Sequence, residues 1–357
     1  MNIQEKFNRY EELFFSDFVR FDTNAEKMGR NIPFEYVRYT KGFPVFAYMG
    51  DGTINMAHYF QYASAIGDTL TDDVLLETLD RLVSTAADVC KSKSVVKGFF
   101  LRDDASVAVF KDMFAQEIMS GYSGAFEHVN EDVCHSPFVS MDQLWNLLPV
   151  IGETTFMREC LEHLLNNGGT LYNPYYSKIY NDWTYCNLKV AFPYRIKDRE
   201  SAPMKVPVKR GAYNPHLLYG FIRHYKLFFD GELKLKHQWF YKMLYNLVVG
   251  ASEFLIYPIL GKFMPVKNNS WHCFYVASGK KGWFGKRMVS KFNKSLKRFD
   301  LTPDFWHLAF IYDEKLVDYK ALEAWLKAYP EPVNNGNQTT PLVYMTLYSY
   351  YKKQLKK

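Results

Sequence analysis

Apolar residues recur along the chain in two patterns, and the alternation of those patterns carries most of the structural signal. Over 54–66, INMAHYFQYASAI, they surround the helix instead of forming a stripe, as expected of a helix packed on several sides. The next segment, 73–90, places Leu75, Leu76, Leu79, Leu82, Val83, Ala86 and Val89 on one stripe. Glu77, Asp80, Arg81 and Asp88 are left outside it, the pattern of an outer helix. Thr71, Asp72 and Asp73 offer capping oxygens and negative charge for its first turn. The same order returns at 141–151, nearly all apolar after its first turn, and 155–165, with a stripe of Met157, Cys160, Leu161, Leu164 and Leu165. Segments 215–229 and 238–249 make a third pair, and 252–264, 305–312, 320–329 and 341–355 add further helices.

Helices that alternate between all-round and one-sided apolarity predict a ring of paired helices, an (α/α)₆ toroid. No regular series of short strands points to a barrel, and no alternation of strand with helix points to a parallel sheet. A hairpin inside a loop, for instance over 95–101, is compatible with the pattern. The chain therefore reads as one all-α domain over 1–357, with loop excursions near 103–137, 172–214 and 265–285. The middle excursion contains FPYRIKDRESAPMKVPVKRGAYNP, whose prolines and charges suit an exposed rim.

Composition adds limits to this picture. A hydrophobic fraction of 48% excludes a disordered chain, and 29 Phe with 27 Tyr supply a large core or sugar-stacking surfaces. The five cysteines, Cys90, Cys134, Cys160, Cys186 and Cys273, are scattered without CxxC spacing, which favours reduced thiols over a disulfide framework. The start, MNIQEKFNRYEELFF, lacks the pattern of a secretory signal, so the expected location is cytoplasmic. The most apolar long stretch, 244–264, is interrupted by Asn246, Ser252, Glu253, Pro258 and Lys262 and is not expected to span a membrane.

Three short motifs carry a resemblance: Gly-Asp-Gly-Thr at 50–53, Gly-Phe-Phe-Leu-Arg-Asp-Asp at 98–104 and Ser-Met-Asp-Gln-Leu at 140–144. Over roughly 45–165 the chain resembles uncharacterised bacterial proteins of the six-hairpin glycosidase-like class, of the Bacteroidetes type. That resemblance implies a toroid whose acidic residues sit at the mouths of inner helices. Relatives on this scaffold include glycoside hydrolases and unsaturated glucuronyl hydrolases.

Asp51, just ahead of the inner helix at 54–66, lies where backbone N–H groups favour an anion, and it equally suits a helix cap. The same ambiguity applies to Asp142, in the first turn of the next inner helix, with Ser140 as the candidate cap and Gln143 close behind. Asp103 and Asp104 follow an apolar run and would bring further carboxylates to the same mouth. Glycoside hydrolysis needs one protonated and one ionised carboxyl group about 5 to 9.5 Å apart. The candidate catalytic set is Asp104 and Asp142 as the acid/base pair, with Asp51 orienting substrate or water. Arg102 is a candidate for holding a uronate, or a salt-bridge partner for Asp103 or Asp104. His135, Trp183, Tyr213, His216 and Trp271 complete the candidate substrate-binding group, although each suits ordinary loop packing as well. No GxSxG elbow, HExxH helix or zinc-like spacing beside Cys134 and His135 appears, so no metal or cofactor is expected.

Charge is concentrated at one place. The stretch 278–298 carries Lys280, Lys281, Lys286, Arg287, Lys291, Lys294, Lys297 and Arg298 without an acid, interleaved with Trp283, Phe284 and Phe292. GKKGWFGKR lacks P-loop spacing, with Arg287 where the hydroxyl should stand, so a P-loop ATPase is rejected. A solvated basic face or an anionic partner at Lys280–Arg298 are the remaining readings. The expected function is a carbohydrate-active enzyme acting on a glycan, with a non-catalytic glycan- or protein-binding component on the same scaffold as the alternative. Nucleic-acid binding through the basic stretch ranks third.

Overall fold

A computed structural model describes residues 1–19, 30–34, 36–40, 43–48, 52–89, 98, 100–101, 127–130, 133–135, 141–166, 170–177, 182–189, 224–225, 228–229, 239, 283–299, 313–332 and 339–357. The described part is mostly helical. Its helices are α1 (Ile3–Asp17), α2 (Gly52–Ile66), α3 (Thr69–Val89), α4 (Met141–Ile151), α5 (Thr155–Asn166), α6 (Trp283–Arg298), α7 (Tyr319–Ala328) and α8 (Thr339–Leu355), with a 3₁₀ turn at Glu314–Leu316 before α7. Three antiparallel hairpins accompany them: β1 (Tyr36–Thr40) with β2 (Phe43–Tyr48), β3 (Glu127–Asn130) with β4 (Val133–His135), and β5 (Thr170–Ser177) with β6 (Asp182–Lys189). The latter two fall in segments that the sequence pattern assigned to loop excursions. The expected helices at 215–229, 238–249, 252–264 and 305–312 lie almost wholly outside the described residues, as does most of 95–101.

The inner and outer patterns correspond to observed packing. In α2 the buried set runs almost continuously around the helix and includes Met56, Ala57, Tyr59, Phe60, Tyr62 and Ala63. In α8 every residue from 341 to 349 is buried. α2 packs against α4 on one side and α8 on the other, while α3 covers α2, α5 covers α4, and α3 meets α5. Two helical hairpins thus stand side by side, inner on inner and outer on outer. Each fully buried Leu or Phe in these contacts contributes about 1.5–3 kcal/mol.

The turn between α2 and α3 shows why the chain reverses there. Gly67 adopts φ +76°, Asp68 N–H donates to Ala63 O at 2.9 Å, and Gly67 N–H donates to Ser64 O at 3.3 Å. This paired arrangement satisfies the last carbonyls of α2. Asp68 at once caps α3, its Oδ1 accepting from Thr71 N–H at 3.1 Å. The helix therefore starts at Thr69, four residues before the expected 73, because Asp68 and not the Thr71–Asp73 run supplies the cap. α4 ends at Gly152, where a Cβ would stand 2.4 Å from Leu148 O and 2.6 Å from His224 Cε1, so only glycine lets that ring approach.

The chain ends meet. α1 begins with a capping box, Asn2 Oδ1 accepting from Glu5 N–H while Glu5 accepts from Asn2 N–H. Phe7, Tyr10 and Phe14 form its buried stripe, and α1 packs on α8. Lys6, only 4% exposed, donates to the carbonyls of Lys327 at 3.0 Å and Tyr329 at 2.5 Å, with Leu326 O at 3.4 Å. A cation thereby caps the negative end of α7 from 320 residues away in sequence. Tyr10 and Tyr344 stack with centroids 4.7 Å apart, and the Tyr10 hydroxyl donates to Pro330 O at 2.9 Å. Among the described residues no helix is long and apolar enough to cross a membrane.

Candidate functional site

α2 and α4 each carry an unusual feature for inner helices: polar residues buried in and just after the first turn. In α2 these are Thr53, 0% exposed, and Asn55. In α4 they are Gln143, 0% exposed, and Asn146. Burying an amide or hydroxyl is costly unless it is paired, so apolar residues would be the default at these positions. Asn55 Nδ2 donates to Pro33 O at 3.5 Å, which ties α2 to the segment 30–34. That segment is held in turn by α3, where Arg81 donates to Arg30 O at 2.9 Å and Thr78 accepts from Asn31 at 3.4 Å. The Thr53 hydroxyl has no hydrogen-bond partner among the described residues.

His58, one turn further along α2, is held neutral: burial pushes its imidazole down to about 4. His163 on α5 is likewise pushed down to about 4 by burial. The buried polar side chains named here are therefore uncharged donors and acceptors at neutral pH. Cys160, a buried free thiol on α5, has its ionisation suppressed by burial and is no nucleophile. Among the described residues no group of three or more His, Cys, Asp or Glu is placed to hold a metal ion.

Of the residues singled out from sequence, Asp142 lies in the first turn of α4 and Gln143 follows it in the buried face. His135 ends β4 opposite Glu127, and Trp183 lies on β6 opposite Tyr176. Their hairpins adjoin through β3 and β5, and β5 also meets α5. Asp51, Arg102, Asp103, Asp104, Tyr213, His216 and Trp271 lie outside the described residues. The first half of the 98–104 motif is structural. Gly98 has φ +83° and a Cβ there would come 2.4 Å from Glu159 O, so the backbone rides directly on α5. Phe100 and Leu101 are both buried. The chain leads into Arg102 from a fixed base.

Thr53, Asn55, His58 and Asn146 were not singled out from sequence. For Asn55, His58 and Asn146 the available signal was a polar residue at a position where the apolar pattern demands an apolar one, whereas Thr53 lay just ahead of the expected 54–66 helix. Neither a family model, nor a curated protein, nor a solved structure matches the chain.

Proposed function

We propose that this chain is a carbohydrate-active enzyme built on an (α/α)₆ toroid, hydrolysing a glycosidic bond with Asp104 and Asp142 as its acid/base pair and Asp51 orienting substrate or water. One observation carries the reading: buried uncharged polar side chains in the opening turns of two adjoining inner helices, next to the sequence positions of Asp51 and Asp142. Amide and hydroxyl groups of this kind orient neighbouring carboxylates and match the hydroxyl-rich surface of a sugar without adding charge. The inner-outer alternation, and the meeting of α8 with both α1 and α2, favour a closed ring of helices over an open array. In this reading Arg102 is the candidate to hold a uronate or keep the acids ionised, and Trp183 is a candidate sugar platform.

Purified protein screened against polysaccharides, uronic-acid oligomers and aryl glycosides tests the proposal, with wild type compared to Asp104→Asn and Asp142→Asn. The expected result is product release by wild type and a loss of about a hundredfold or more in each variant, with the far-UV circular dichroism unchanged. Release that survives both substitutions removes the assigned pair. Glycan binding without release from any substrate makes the protein a non-catalytic binder on the same scaffold.

A further inference from the structure

The basic stretch is an ordered helix with one face committed. α6 carries Lys286, Arg287, Lys291, Lys294, Lys297 and Arg298 and no acid. Its apolar stripe, Val289, Phe292 and Leu296, is buried, and the helix packs on α7 and on the Glu314–Leu316 turn. Between helix and turn runs an open groove of about 380 Å³, with Lys286, Lys294 and Lys297 along it and Val289 and Leu316 at its apolar patch. Asn293 fixes the opposite wall, donating to Leu316 O at 2.9 Å and accepting from Asp318 N–H at 2.9 Å.

The charge on this helix is opposed by its own surroundings. Cations three and four residues apart repel one another by a few tenths of a kcal/mol per pair. Lys286 stands in the first turn, where the helix end is already positive. Lys297 is offset by Asp318 at 2.8 Å, whereas Lys286 and Lys294 are exposed and form no ion pair with a described acid. An anion in the groove relieves both penalties. Lys286, Lys294 and Lys297 span about 16 Å along the helix axis at 1.5 Å per residue, which suits a polymer with charges on successive units better than one small anion.

We propose that this groove binds an acidic glycan chain, its carboxylate or sulfate groups held by Lys286 and Lys294 and a sugar ring resting on the exposed Leu316 beside the Ser290 hydroxyl. A membrane surface is disfavoured because the apolar face that would enter it is already buried in the protein. Single-stranded nucleic acid is disfavoured because none of the described residues lining the groove carries an aromatic ring for base stacking. This site does not depend on the paired carboxylates, and its test reads binding without turnover, so either proposal can fail alone.

Full-length protein is titrated by fluorescence anisotropy with labelled polygalacturonate, heparin, neutral dextran and oligodeoxythymidylate. The expected result is that one or both acidic glycans bind at least about tenfold more tightly than dextran and thymidylate, the preferred one distinguishing carboxylate from sulfate recognition. Lys286→Gln/Lys294→Gln should weaken that binding by about tenfold, while Arg9→Gln/Lys327→Gln, an equal loss of charge on α1 and α7 outside the groove, should leave it within about twofold. All four side chains are exposed, and circular dichroism verifies that each variant is folded. The proposal is overturned by unchanged binding in the groove variant, by an equal loss in the control, by equal affinity for dextran, or by preference for thymidylate.

Discussion

The join between the chain ends pairs the polar groups it buries, whereas the first turn of α2 leaves one of its own without a described partner. At the join, the Lys6 ammonium reaches three carbonyls, and the Tyr10 and Tyr344 hydroxyls each reach backbone oxygen. At the other place, Thr53 buries a hydroxyl with no described partner. A paired buried polar group specifies how elements dock, whereas an unpaired one costs stability and is retained only where something besides stability is selected. The difference separates a structural seam from a candidate site without reference to the identity of any ligand.

The largest test of that contrast is Lys6→Met. It removes the charged donor and strands the last carbonyls of α7, and urea unfolding should show a loss of about 3 kcal/mol. A loss below about 1 kcal/mol would mean that the seam is held by its aromatic packing alone. Acid comes next. His58 and His163 have folded values near 4, below the ordinary 6.5, so their contribution is complete above pH 6.5 and is lost as pH falls from there toward 4. Either ring should cost on the order of 2 kcal/mol at pH 5 relative to pH 8. Asp72 works against this loss. Burial and the neighbouring Asp68 and Asp73 push its carboxyl up to about 6, so its protonation relieves strain in the same window, and measurement in an Asp72→Asn background removes that offset. Stability that stays flat from pH 8 to pH 5 in that background would contradict the neutral burial of the histidines. The smallest effect is expected from Thr53→Val, which keeps the shape and removes the unpaired hydroxyl. Thermal melting should show no loss and up to about 1 kcal/mol gained, while product release or glycan binding falls. Destabilisation beyond 1 kcal/mol would place Thr53 with the seam instead.

Much of the helical pattern was legible. The bounds of α4 were those expected, and those of α2, α5, α7 and α8 differed by one or two residues at an end, because their apolar content directly reports how many sides are covered. α1 and α6 were not picked out. α1 carries its stripe at Phe7, Tyr10 and Phe14 among charged residues, with a buried lysine that no periodicity rule assigns to a core. α6 has so narrow a stripe that its lysines dominated the reading. Hairpins inside loops were compatible with the pattern but these three were not placed, since segments such as TLYNPYYS mix proline and asparagine with aromatics, and their strand conformation comes from a partner strand instead of local preference. At the candidate site, Asp142 and Gln143 were visible at a helix start, while Asn55, His58 and Asn146 passed as ordinary residues of an apolar helix and Thr53 fell just ahead of the expected 54–66.

The sequence by itself determined that α2 and α4 are covered on several sides and α3 and α5 on one, because periodicity acts over a few residues. Only the tertiary structure decided that Lys6 caps a helix 320 residues away, that Gly98 rides on α5, and that the basic run becomes one wall of a groove. Those outcomes depend on which surfaces meet, and the energy of a contact between distant segments is not written in the local order of either one.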